Sequence, residues 1–363
     1  MKVLIPINIR KQRKGFLKDL TGDNPFVATL CQGLEREGCN VTCSTQDLFE
    51  NWAHYDIIHF QWPHVIAKWC NDIEIFSQLM SNIKSGGKKI IVTVHNLEPH
   101  YSDNVLVHKL YELVYGSADV LVHMGEYSKK LFEDKYPTAK NVIIPHHIYD
   151  ELYKYIEIPT REESIKKLHL NPNYRYIVCF GSFRNEEEIE IANTVANALY
   201  DEGIRVLAPG FARIKITKSI FKTIKSYINY KRITSKYPLI ICSGRFVPDS
   251  LVPYYYAASD IALIQRKRIL NSGNLPMALY MSKVVVGPNT GNVGELLKET
   301  FNPVFDINDI SSVEIAVRQA LKLSQQGKGY DNYKYAIECY STNKICGMYY
   351  KEYLEMLNIN NSK

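Results

Sequence analysis

The chain has 363 residues, 46% of them hydrophobic and 23% charged, with a formal net charge of +6 at pH 7. That composition suits a soluble globular protein, and the length favours two domains over one. No stretch approaches the roughly 20 continuous apolar residues of a membrane-spanning helix, which excludes an integral membrane protein of that kind.

The start, Met1-Lys2-Val3-Leu4-Ile5-Pro6-Ile7, is too short and too abruptly polar afterwards for a signal peptide. It reads as a first buried strand, and a cytoplasmic location is expected. The eight cysteines are scattered, with no C-x-x-C pair, and are expected to be reduced core residues. Basic charge is concentrated in two places. Arg10, Lys11, Arg13, Lys14 and Lys18 crowd the first loop, and Arg213 to Lys236 carries eight basic residues and no acidic one. Such patches attract nucleic acid, anionic lipid or phosphorylated substrates, and charge alone does not choose between them. No nucleic-acid recognition motif accompanies them.

Short Val- and Ile-rich runs alternate with amphipathic stretches. In the first half the predicted strands are Val3–Ile7, Asn40–Cys43, Asp56–Phe60, Ile90–Val94, Val120–His123 and Val142–Ile144. Runs that are apolar on both faces predict buried parallel strands, and the repeated β-α-β order predicts a doubly wound sheet. Phe26–Glu37 reads as a helix stopped at Gly38. Residues 150–173 are charged and irregular, with Pro159 and Pro172, and read as a linker with a short helix. A second series follows at Tyr176–Phe180, Arg205–Ala208, Leu239–Cys242, Ile261–Ile264, Val284–Val286 and Pro303–Phe305. The chain ends in an aromatic-rich helix over Tyr340–Leu357.

In open α/β sheets ligands bind beyond the carboxyl ends of the strands. After the first strand, Asp23 or Asn24 is placed to cap a helix opened by Pro25. His59-Phe60-Gln61-Trp62-Pro63-His64 and His95-Asn96-Leu97-Glu98-Pro99-His100 follow the third and fourth strands. Neither has metal-ligand spacing, so sugar contact or proton transfer is the functional alternative to a packed structural role. In the second half, Gly181-Ser182 with Arg184 forms a small-residue turn suited to phosphate. Arg266, Arg268, Asn271, Ser272, Gly273 and Asn274 form a basic loop leading into a helix, a credible diphosphate cradle. Gly291–Gly294 is a further turn, and Glu295 after it either favours the first turn of a helix or accepts from donor hydroxyls.

These residues resemble glycosyltransferases of the GT-B fold, nearest to family 4. His59-Phe60-Gln61-Trp62-Pro63 is similar to an H-x-H-W-P element, with Gln61 in place of the second His. Thr93-Val94-His95-Asn96-Leu97-Glu98-Pro99-His100 resembles a T-V-H-N-L-x-P-H element. Val247-Pro248-Asp249, Tyr256-Ala257-Ala258-Ser259-Asp260, Ser272-Gly273 and Gly291-x-x-Gly294-Glu295 follow in the family's order. The pattern departs in two places. Glu186-Glu187-Glu188 stands where many members have a Lys, and Met277 stands near the second Glu of an E-x7-E pair.

The resemblance implies two Rossmann-like domains facing across a cleft: an acceptor domain (1–155, with 341–363) and a donor domain (172–340), joined by a linker (156–171). The last helix would cross back to the N-terminal domain. It implies hexosyl transfer from a UDP- or GDP-sugar, with no metal or other cofactor required. The acceptor would be a hydroxyl of a glycan or lipid-linked saccharide in capsule, exopolysaccharide or O-antigen synthesis. Gly181, Ser182, Arg184, Arg266, Arg268, Asn271, Ser272, Gly273, Asn274 and Glu295 would serve the donor. Asn24, Trp62, His64 and Asn96 would lie on the acceptor side, and His95 matches the histidine that contacts the donor sugar. If configuration inverts, His95, His100, Glu98 and Asp23 are the candidate bases; if it is retained, no protein base is needed. Rival readings are a sugar-nucleotide epimerase on the same plan and a non-catalytic sugar- or partner-binding relative.

One stretch stands outside this scheme. Ile216, Ile220, Phe221, Ile224 and Ile228 recur at helical spacing among Lys215, Lys218, Lys222 and Lys225. Such a helix either rests on an anionic membrane, placing the protein at the inner face of the cytoplasmic membrane, or packs its apolar stripe on its own domain.

Overall fold

A computed structural model describes residues 1–9, 24–99 and 104–358. The basic cluster Arg10–Lys18 lies outside them. The chain divides into two compact units, Met1–Glu151 with the segment from Tyr340, and Leu152–Cys339.

The first unit is built on β1 (Lys2–Ile5), β2 (Asn40–Cys43), β3 (Ile57–Phe60), β4 (Lys89–Thr93), β5 (Val120–His123) and β6 (Lys140–Ile143). They form one sheet in the order β2-β1-β3-β4-β5-β6, every pair parallel. Ile57, Ile58, Ile90, Ile91, Leu121 and Val122 have no exposed surface, as a sheet covered on both faces requires. The strand order reverses at β1 and β3, which opens the crevice beyond their carboxyl ends to a ligand.

The last helix, Thr342–Met356, belongs to this unit and packs on the helix Pro25–Arg36. At Gly33 a Cβ would lie 2.2 Å from Cys346 Sγ, so only glycine allows this approach. Lys140, beginning β6, pairs with both Glu352 and Glu355 at 2.8 Å.

The second unit carries β7 (Arg175–Val178), β8 (Ile204–Leu207), β9 (Ile240–Ile241), β10 (Ile261–Leu263), β11 (Val284–Pro288) and β12 (Val304–Phe305). Its sheet runs β12-β11-β10-β7-β8-β9, again parallel throughout. Here the order reverses between β7 and β10. Residues 156–171, expected as a linker, include the helix Arg161–Lys167, which opens with a capping box between Thr160 and Glu163 and packs on the helix Val252–Ala257.

Candidate functional site

Each unit gathers polar residues at its switch point. In the first unit, β3 and β4 deliver His59 and Thr93 at their ends, with Gln61 and His95 two residues further on. All four are buried. Nε2 of His95 lies 2.8 Å from Oε1 of Gln61, whose Nε2 lies 2.8 Å from Nε2 of His59. An amide nitrogen only donates and an amide oxygen only accepts, which fixes both imidazoles. His95 carries its proton on Nε2. His59 accepts at Nε2 and donates from Nδ1 to the Tyr353 hydroxyl, 2.6 Å away. Thr93 Oγ1 is 2.8 Å from His59 Nε2 and 3.1 Å from the Tyr349 hydroxyl.

Burial without a counter-charge disfavours imidazolium. It pushes His59 from 6.5 down to about 3 and His95 well below its ordinary value, the latter helped by neighbouring histidines. The Trp62 ring stacks on His95 at 3.9 Å, and the edge of Phe26 meets His95 at 4.8 Å. Phe26 also touches His146 and His147, at 4.8 and 4.6 Å between ring centres. His147 is fully buried, and among the described residues neither of its ring nitrogens has a hydrogen-bond partner. A buried imidazole with no partner, packed on the same Phe26 ring as His95, is chemically able to bond a polar ligand group.

The other residues expected on this side have separate placements. Asn24 caps the helix Pro25–Arg36, accepting from the Phe26 amide at 3.1 Å and so presenting Phe26 to the histidines. Asn96 is buried, and its carbonyl accepts from the Tyr115 hydroxyl at 2.6 Å. His64 is exposed and turned to Tyr111, with Nδ1 3.1 Å from the hydroxyl. Glu98 is exposed. Asp23 and His100 lie outside the described residues.

In the second unit the turn after β7 is shaped by close backbone approach. Gly181 has φ +104°, and a Cβ there would lie 2.9 Å from Asn274 Nδ2. That amide donates to the Phe180 carbonyl at 2.7 Å, so Asn274 holds the turn from within its own loop. Gly210, after β8, has Gly181 O 2.0 Å from where its Cβ would stand. Two arginines converge on Ser182. Arg213 donates to its Oγ at 3.2 Å and Arg266 to its carbonyl at 3.4 Å.

Buried Glu188 accepts from the Arg184 amide at 2.8 Å and pairs with Arg266 Nε at 3.5 Å. Glu188, the last residue of the run Glu186-Glu187-Glu188, therefore buttresses this turn. The Arg184 and Arg268 side chains are exposed.

The basic loop Arg266–Gly273 rests on the Gly291 turn, where φ is +62° and a Cβ would meet Ile269 O at 2.2 Å. Asn292 donates to Asn271 Oδ1 at 2.8 Å across the same contact. Gly291 thus positions the loop. Gly273 precedes the helix Asn274–Tyr280, where no side-chain cap forms. Glu295 does not serve the first helical turn: the helix Gly291–Glu299 has no acidic residue there, and Glu295 lies one turn further on. Among the described residues, Arg213 Nε, Gln265 Nε2 and Ser272 Oγ are buried with no hydrogen-bond partner.

Sequence reasoning singled out His95, Trp62, Gly181, Ser182, Arg266 and Ser272. It passed over His147 and Gln265, whose available signal was their position just beyond a strand end, and took Arg213 only as the start of the basic stretch from Arg213 to Lys236.

No protein-family model matches the chain, and no curated protein matches its sequence. Solved structures do. Sucrose-phosphate synthase from Thermosynechococcus elongatus is 11% identical, with a TM-score of 0.68 over 99% of both chains. The catalytic domain of starch synthase IV from Arabidopsis thaliana, bound to ADP and acarbose, is 12% identical with a TM-score of 0.67, covering 98% of this chain and 99% of that one. Anabaena HepE in complex with UDP is 12% identical with a TM-score of 0.66, covering 97% of this chain and 98% of that one. Likeness at this identity establishes architecture, and with two doubly wound parallel sheets and a last helix returned to the first unit, the chain has the GT-B fold of glycosyltransferases.

Proposed function

We propose that the chain is a glycosyltransferase that takes a sugar from a nucleotide-sugar, UDP- or GDP-linked, and passes it to an acceptor hydroxyl. The observation that carries this reading is a set of unsatisfied buried donors in the loops that follow β8 and β10. Among the described residues, Arg213 Nε, Gln265 Nε2 and Ser272 Oγ are buried with no hydrogen-bond partner, and the Arg213 and Arg266 guanidinium groups both reach Ser182 in the turn after β7. A diphosphate supplies the acceptor oxygens these groups lack, and buried donors without partners are otherwise costly. The structural neighbours solved with UDP and with ADP and acarbose support a nucleotide and sugar at this fold.

In the reaction, the bond between the anomeric carbon and the diphosphate oxygen breaks, and the acceptor oxygen bonds to that carbon. Negative charge grows on the departing diphosphate, where Arg213 and Arg266 stabilise it. The acceptor's proton passes to a base or to the leaving phosphate. His95 is a poor store for that proton, because burial suppresses its basicity. It is better suited to hold a sugar hydroxyl, with His147 and Trp62 shaping the same pocket, and Asn24 and Asn96 fixing its walls.

The acceptor we favour is a glycan or lipid-linked saccharide of surface polysaccharide synthesis, handled in the cytoplasm. A panel of UDP- and GDP-sugars tests the reading. Nucleoside diphosphate release that rises with added acceptor supports transfer. Interconversion of the nucleotide-sugar without acceptor would show an epimerase, and nucleotide-sugar binding without turnover a non-catalytic relative.

A further inference from the structure

The helix Ile220–Lys236 turns the wrong side outward for a soluble domain. An amphipathic helix normally buries its apolar stripe and leaves its polar side in water. Here no residue of the helix is buried. Its inner side is polar over the first half: Ser226 Oγ accepts from the Lys215 amide at 2.7 Å, and Thr223 Oγ1 from the Thr217 amide at 3.0 Å. Only further along do Tyr230, Ile233 and Tyr237 pack against the core of the second unit. The apolar residues of the first half point away. Ile220 is 69% exposed, Phe221 81%, Ile224 50%, Tyr227 47% and Ile228 61%. At 3.6 residues per turn these five share about a third of the helix circumference.

Charge says what covers this stripe. Lys222, Lys225, Arg232 and Lys236 are exposed along one flank of it, and no acidic residue occurs between Arg213 and Lys236. A protein groove of mixed charge would leave that flank unmatched, whereas an anionic bilayer offers acyl chains to the stripe and phosphates to the lysines at the same depth. No helix among the described residues is long and apolar enough to cross a membrane, so the contact is one of lying on the surface. We propose that this face docks the protein on an anionic lipid surface, with Phe221 and Ile224 entering the acyl boundary and Lys222 and Lys225 meeting lipid phosphates. The proposal is independent of the transfer reaction.

The test is co-sedimentation of the full chain with phosphatidylcholine vesicles, with and without phosphatidylglycerol. Binding is expected only with the anionic lipid, and it weakens in high salt. Phe221→Asp with Ile224→Asp, and separately Lys222→Glu with Lys225→Glu, should each lower the partition coefficient by at least about tenfold. Because all four side chains are exposed, the melting temperature of both variants should stay that of the parent. Absence of binding to anionic vesicles overturns the proposal, as does binding that both variants retain. A dimer detected by light scattering without lipid and dissolved by Phe221→Asp overturns it in favour of a second copy of the chain on this face.

Discussion

The Tyr353 hydroxyl and His59 Nδ1 stand 2.6 Å apart, although 294 residues separate them along the chain. This bond ties the last helix to a hydrogen-bonded line that runs through Gln61 to His95. The helix therefore does more than cover the sheet: its hydroxyl accepts a hydrogen bond from the proton that the Gln61 amide leaves on His59 Nδ1, and the same line orients His95 through Gln61. In Tyr353→Phe the His59 N–H loses its acceptor inside a fully buried site, at a cost of about 1–3 kcal/mol. Urea unfolding should show a lower midpoint, and a change below about 0.5 kcal/mol would mean that the line is not coupled to stability.

Trp62 supplies one face of the apolar wall that keeps His95 neutral, stacked on it at 3.9 Å. Trp62→Ala should admit water to the ring and raise the His95 pKa toward its ordinary value, visible by NMR titration of the imidazole. Under the proposed function, His95→Ala should lower transfer by about 100-fold while leaving UDP affinity within a factor of about two. A parallel loss of UDP binding would place His95 outside the sugar pocket.

Arg213 and Arg266 should account for much of the nucleotide affinity. Arg213→Ala and Arg266→Ala are each expected to weaken UDP binding by about tenfold or more, read by calorimetry, and to make it less sensitive to salt. Gly181→Ala should weaken it as well, since φ of +104° and the Asn274 amide at 2.9 Å leave no place for a methyl group. Unchanged affinity in both arginine variants would move the phosphate site away from Ser182.

All twelve predicted strands exist, most of them because a buried parallel strand shows as a Val- and Ile-rich run whatever surrounds it. The ends of those runs were legible too, and His95, Gly181 and Ser272 are candidates because they stand in the loops beyond them. What was not legible depends on pairs that only the fold creates. Nothing in the sequence near His147 says that Phe26 lies against it, and nothing near Arg213 points to Ser182. The helix Ile220–Lys236 showed its amphipathic period plainly, but the period cannot tell which side faces in. That was decided by Ser226 and Thr223, whose hydroxyls bond the preceding segment and turn the apolar stripe outward.

The histidines should make the first unit acid-labile. Burial lowers His59 to about 3, His123 to about 4 and His146 to about 4, and lowers His95 and His147 well below the ordinary range. Each is neutral in the folded chain at a pH where the unfolded chain is already protonated. Above about pH 6.5 both states are neutral and the histidines do not affect stability. As pH falls below that value the unfolded state binds more protons, and each such histidine removes up to about 1.4 kcal/mol per pH unit until its folded pKa is reached. The second unit contains a single histidine, His169, whose side chain is exposed. Hydrogen exchange between pH 7 and pH 5 should therefore show protection falling first in β3, β4 and β5, with β7, β10 and β11 holding. Equal loss in both sheets would show that the buried histidines are not what limits stability in acid.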